Sequence, residues 1–107
     1  MNEIQRTEID EIVNGILTSV PVSEIYLFGS FAKGTEREDS DYDFYVVIPD
    51  DSGMRELEAN RAIRGAIQRQ TRGIDMLVGK KSKFDKYKDS ISFIEKEVVT
   101  TGVKLYG

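Results

Sequence analysis

Leu27-Phe28-Gly29-Ser30-Phe31-Ala32-Lys33-Gly34, followed at a short distance by Ser40-Asp41-Tyr42-Asp43-Phe44, is the stretch on which the reading of this sequence turns. Ile25 to Phe28 is a short apolar run that ends in Gly29-Ser30, the pattern of a buried strand entering a turn. A glycine there lets the backbone turn tightly and approach a ligand, and exposed N–H groups beside a hydroxyl can hold phosphate oxygens. Residues 31 to 40 are mostly polar, with one further glycine at Gly34, and read as a loop. Tyr42 to Ile48, rich in aromatic and β-branched residues, is a second strand closed by Pro49-Asp50-Asp51. Asp41 and Asp43 stand two apart at its start, and strand alternation sends residues i and i+2 to one face. Two carboxylates about 6–7 Å apart along a strand repel one another unless a cation lies between them.

Outward from this stretch the pattern alternates. Ile9, Ile12, Val13, Ile16 and Leu17 trace one helical stripe over residues 2 to 18, with Ile4 at its edge and Pro21 just beyond. Residues 54 to 70 predict a second helix, with Met54, Leu57, Ile63 and Ile67 inward and Arg61, Arg64 and Arg69 outward, Arg72 following on the solvated side. Gly73 precedes a third strand, Ile74 to Val78, which carries Asp75 among apolar neighbours. The pattern buries that acid, and an unpaired buried carboxylate is costly, so Asp75 reads as the partner of Asp41 and Asp43. A lysine-rich connection from Lys80 to Lys88 reads as a solvated face. A last helix using Ile91, Phe93, Ile94 and Val98 as core ends near Gly102, and a Val103–Tyr106 tail follows. This order implies one α/β domain over residues 1–107, a small mixed sheet with helices packed on it.

Composition narrows the chemistry. The chain has 107 residues, 39% hydrophobic and 32% charged, the balance of a globular domain. It has neither cysteine nor histidine, which excludes disulfides, thiolate metal sites, the usual general base and every Ser-His or Cys-His arrangement. A metal must then be held by oxygen, which favours Mg²⁺ or Mn²⁺ over zinc. The net charge of −4 disfavours generic binding to a nucleic-acid backbone. The longest apolar run, Phe44 to Ile48, is too short to span a bilayer, and the first residues lack a signal-peptide pattern, so a cytoplasmic protein is expected.

Gly29-Ser30, ten residues, then Asp41-x-Asp43 resembles the signature of the DNA polymerase beta-like nucleotidyltransferase superfamily. Ala32-Lys33-Gly34 stands where that family usually has Ala-Arg-Gly, and Ser40-Asp41-Tyr42-Asp43-Phe44 where it has Ser-Asp-x-Asp-Leu. Lys33 keeps the charge and Phe44 keeps a core residue. The closing Glu95-x6-Gly102-x-Lys104-Leu105-Tyr106 is similar to the minimal nucleotidyltransferases of prokaryotes. The resemblance implies a small sheet flanked by helices and transfer of a nucleotide from a triphosphate, ATP above all. It implies that Gly29 and Ser30 hold the triphosphate, and that Asp41, Asp43 and Asp75 bind two Mg²⁺ ions. Asp75 would also help activate the attacking hydroxyl. Minimal members are commonly paired with a HEPN-domain protein, and in some pairs that resemble toxin–antitoxin systems the partner receives AMP.

Each feature has an ordinary alternative: a strand-ending turn, a solvated acidic strand end, or an edge-strand acid pointing to water. Asp39 shares the parity of the acidic pair and is the nearest alternative or outer ligand. Transfer to a small molecule is a second enzymatic reading, and a non-catalytic antitoxin that blocks a partner by contact is a third. Self-association is compatible with all of them.

Overall fold

The computed structural model describes residues 1–67 and 72–107. Helix α1 (Glu3–Ser19) is fixed at its start by a reciprocal cap. The Gln5 backbone N–H donates to Asn2 Oδ1 at 2.8 Å, and the Asn2 N–H to Gln5 Oε1 at 3.0 Å. The predicted stripe is the buried one, with Ile9, Ile12 and Ile16 inward and Ile4 exposed.

Four strands form one sheet, β1 (Glu24–Phe28), β2 (Tyr42–Ile48), β3 (Ile74–Lys80) and β4 (Val103–Tyr106), in the order β3-β2-β1-β4. β1 runs antiparallel to β2 and to β4, while β2 and β3 are parallel, so the sheet is mixed as expected. A parallel pair needs a crossover, and α3 (Glu56–Ala66) supplies it. The described residues also form three short helices, α2 (Gly29–Lys33), α4 (Lys81–Tyr87) and α5 (Ile94–Thr101).

Both faces of the sheet are covered. Ile25 and Leu27 of β1 and Tyr42, Phe44, Val46 and Ile48 of β2 pack with residues of α1 and α3. Tyr26, Phe28, Tyr45 and Val47 face the other way, toward Phe84 of α4 and Val98 of α5. β2 is therefore buried on both sides, which explains why its sequence is nearly continuous in apolar residues. Asp43 belongs by alternation to the α4–α5 face.

Several expectations need correction. The stretch after Ser30 is not all loop: α2 buries Phe31 and ends at Gly34 in the left-handed conformation, φ 74°. Leu57 is exposed rather than inward, because it stands two residues before buried Ala59, about 200° around the helix. The second predicted helix is shorter than residues 54 to 70: α3 begins at Glu56 and ends at Ala66, with Ile67 as an extended cap, and the rest of the predicted span, with Arg69, lies outside the described residues. The lysine-rich connection contains α4, anchored by buried Phe84, and Lys81, Lys83 and Lys88 form ion pairs there, such as Lys81–Asp85 at 2.9 Å. Ile91 precedes α5 and is 92% exposed, and Phe93 and Ile94 are also exposed, leaving Val98 as the core residue of that group. The tail pairs with β1 as β4. Among the described residues no helix is long and apolar enough to cross a membrane.

Candidate active site

The C-terminal end of β1 and the N-terminal ends of β2 and β3 lie on one edge of the domain. Register brings the singled-out residues together there. Phe28, the residue before Gly29, is opposite Asp43, and Asp43 is directly beside Asp75 on the neighbouring parallel strand. Gly29, Asp43 and Asp75 thus converge, although 46 positions in the chain separate the first from the last.

Gly29 has φ 71°, a conformation that L side chains rarely adopt, and a Cβ placed on it would collide with Asp43 Oδ2. The carboxylate of Asp43 therefore occupies the space that the missing side chain leaves. Ser30 is half-buried in the first turn of α2. Gly73 does for Asp41 what Gly29 does for Asp43: a Cβ there would stand 2.6 Å from Asp41 Oδ1. The Tyr42 N–H donates to the Gly73 carbonyl at 3.0 Å and fixes this approach. A groove of about 200 Å³ beside it is lined by Glu38, Asp39, Ser40, Asp41, Arg72 and Gly73. Asp39 is exposed there.

The electrostatics single out Asp43. Burial pushes its carboxyl up from 3.8 to about 6, reinforced by a hydrogen bond with Asp75 and by the charges of Asp75, Asp41 and Glu97. A carboxylate held beside others in this way is one that a cation would relieve. Every donor in the set is a hard oxygen, so the residues fit a divalent ion such as Mg²⁺. The fit rests on the Asp43–Asp75 pair, since no group of three acids among the described residues converges as a ready metal cage.

Asp75 departs from its expected environment. It is exposed, because β3 is an edge strand, and its neighbour on the same face, Leu77, is 39% exposed as well. Among the described residues the buried acid is Glu95 of α5, 3% exposed, whose Oε2 accepts a 2.6 Å hydrogen bond from the Tyr45 hydroxyl. Sequence reasoning also missed Glu97, which pairs with Lys33 at 3.0 Å across α2 and α5. No spacing rule links positions 33 and 97, so the sequence held no signal for it. Gly73 carried a weak one, a glycine two residues before a strand-borne acid.

Three comparisons bear on this arrangement. A candidate nucleotidyltransferase from Sulfolobus solfataricus superposes with a TM-score of 0.58 at 24% identity, over 83% of this chain and 84% of the other. A toxin–antitoxin structure with AMP-PNP gives 0.61 at 24% identity, over 92% and 72%. A mutant of the toxin–antitoxin MntA–HpeT gives 0.60 at 22% identity, with the same coverage. No curated protein matched the sequence. These likenesses establish the fold, a four-stranded mixed sheet flanked by helices. Residues 9–102 match the model of the nucleotidyltransferase domain, a span that takes in β1 to β3, the Gly29 turn and all three aspartates, and the chain therefore belongs to the nucleotidyltransferase domain family.

Proposed function

We propose that this nucleotidyltransferase moves AMP from ATP to a hydroxyl group on a HEPN-type partner protein in the cytoplasm, using Mg²⁺ or Mn²⁺ held by Asp41, Asp43 and Asp75. The observation that carries the reading is the register of β2 on β3, which sets Asp43 beside Asp75 where the chain turns at Gly29. The bound cation supplies charge neutralisation at the phosphate oxygens. Backbone N–H groups at Gly29 and Ser30, with the Ser30 hydroxyl, hold the triphosphate. Asp75, exposed to solvent, accepts the proton of the attacking hydroxyl. The new bond joins that oxygen to the α-phosphorus, the bond from the α-phosphorus to the bridging oxygen breaks, and pyrophosphate leaves.

Two observations support the nucleotide and the partner. One similarly folded toxin–antitoxin structure contains AMP-PNP, and another is a two-component toxin–antitoxin pair. Orientation of the acceptor supplies much of a transfer rate, and a partner protein that docks on the domain brings its own hydroxyl already oriented. The test is co-incubation with Mg²⁺, ATP and a HEPN-type protein from a neighbouring reading frame, followed by intact-mass spectrometry. The partner's mass should rise by one or more AMP units with the wild type. With Asp75→Asn it should stay unchanged while binding persists. If Asp75→Asn suppresses the partner as well as the wild type does, contact alone is the mechanism.

A further inference from the structure

Arg72, the last residue before Gly73 and β3, reads in the sequence as a solvated charge. In the fold it lies half-buried between the elements that carry the site. Its Nη1 donates to the backbone carbonyls of Glu38 at 2.8 Å and Ser40 at 3.0 Å. Its guanidinium lies 5.1 Å from the ring centre of Phe31 in α2 and 6.0 Å from that of Tyr42 in β2. Its Nε is buried with no hydrogen-bond partner among the described residues, a cost that the remaining contacts of the side chain must offset. Tyr42 is fixed in turn, its hydroxyl donating to Glu8 Oε1 at 2.8 Å.

The segment that Arg72 grips has few holds of its own. Residues 37 to 39 are exposed, and the local bonds are those of Ser40, whose Oγ accepts from the Arg37 N–H at 2.7 Å and whose N–H donates to the Arg37 carbonyl at 3.1 Å. Asp41 follows directly, outside any strand, with its carboxylate against Gly73. Asp43 and Asp75 are set by strand register, whereas Asp41 is held on one side only, by the Tyr42–Gly73 hydrogen bond, and on the other side depends on where this loop lies. A planar guanidinium that donates to two carbonyls while stacking on a ring fixes a loop in a way that an exposed ion pair does not.

We propose that Arg72 is a positioning residue: by holding the carbonyls of Glu38 and Ser40 against the Phe31–Tyr42 rings it sets the loop that carries Asp41, and so the place from which Asp41 joins a cation taken up by Asp43 and Asp75. This rests on the metal-site reading above. The test compares wild type, Arg72→Ala, Arg72→Lys, Asp41→Asn and the Arg72→Ala/Asp41→Asn double variant in the presence of ATP. Mn²⁺ affinity is read from the electron paramagnetic resonance of the free ion, and loop order from amide hydrogen exchange. Arg72→Ala should lose about tenfold or more in Mn²⁺ affinity, the scale of an outer-shell partner. The double variant should bind no more weakly than Asp41→Asn alone, because both changes remove the same ligand. Exchange should quicken at residues 37–42 and stay unchanged at 44–48. Arg72→Lys, which keeps a charged donor, should lie between wild type and alanine, and it serves as the test if the alanine variant does not fold. Wild-type Mn²⁺ affinity in a folded Arg72→Ala protein, or additive losses in the double variant, would overturn the proposal. If Asp41→Asn alone leaves the affinity untouched, the site reading fails first and the role of Arg72 falls with it.

Discussion

Replacing Asp43 by asparagine should stabilise the metal-free protein while it cripples transfer. The carboxyl of Asp43 ordinarily titrates at 3.8 and is pushed up to about 6 in the fold, first by burial and then by Asp75. Between those values the folded protein keeps a proton that the unfolded chain releases, so stability falls as pH rises through this window and stays lower above it. The gap corresponds to about 3 kcal/mol if all of it were expressed. Solvent reaches this half-buried site, and screening reduces the expected gain to about 1 kcal/mol. In a domain of this size that is a rise in Tm of about 4–8 °C. Asparagine has the shape of aspartate, fits the space at Gly29, and its amide can donate to Asp75 as the protonated acid does. The assay is thermal melting by circular dichroism in EDTA at pH 8 and pH 5. Asp43→Asn should melt higher than wild type at pH 8, and the difference should shrink at pH 5. Adding Mg²⁺ at pH 8 should raise the wild type and leave the variant unmoved. Transfer should fall by about 10²–10³-fold or more, the scale of lost metal stabilisation. A wild type that melts as high as the variant at pH 8 in EDTA would refute the reasoning.

Other expectations follow from the same geometry. Titration of ATP by calorimetry should show binding with Mg²⁺ or Mn²⁺ and no gain with Zn²⁺, and equal affinity in EDTA would remove the cation from the site. Gly29→Ala should cost about 1–2 kcal/mol from its positive φ alone and more from the collision with Asp43, read by urea denaturation. Tyr45→Phe should cost about 1–3 kcal/mol by stripping the hydrogen-bond donor from buried Glu95, and pairing it with Glu95→Leu should recover much of that loss.

What the sequence made legible was whatever local periodicity or family spacing encodes. The α1 stripe, the bounds of β2, the start of β3 and the Gly-Ser to Asp-x-Asp spacing all fall in this class. What escaped depends on contacts between distant segments. α4 carries a single buried side chain, Phe84, among lysines, too little for a periodic stripe to register. β4 is a strand only because β1 offers it an edge, and four residues give no pattern of their own. Asp75 sits in an apolar run that looks buried, but the apolar alternation of an edge strand does not reveal which face a helix will cover. Arg72 looks like any surface arginine until the carbonyls of residues 38 and 40 are folded against it.

The two glycines that make room for carboxylates face different kinds of selection. At Gly73 the backbone is ordinary, and an added methyl meets only the far end of the Asp41 side chain, which can swing aside. At Gly29 both the left-handed backbone and the carboxylate of Asp43 stand in the way. A library sorted only for folded, expressible protein should therefore accept alanine at position 73 and reject it at 29. A library sorted for catalysis should accept it at neither. The difference between the two sorts would separate the requirements of the chain's architecture from those of its chemistry, using positions that bear no side chain at all.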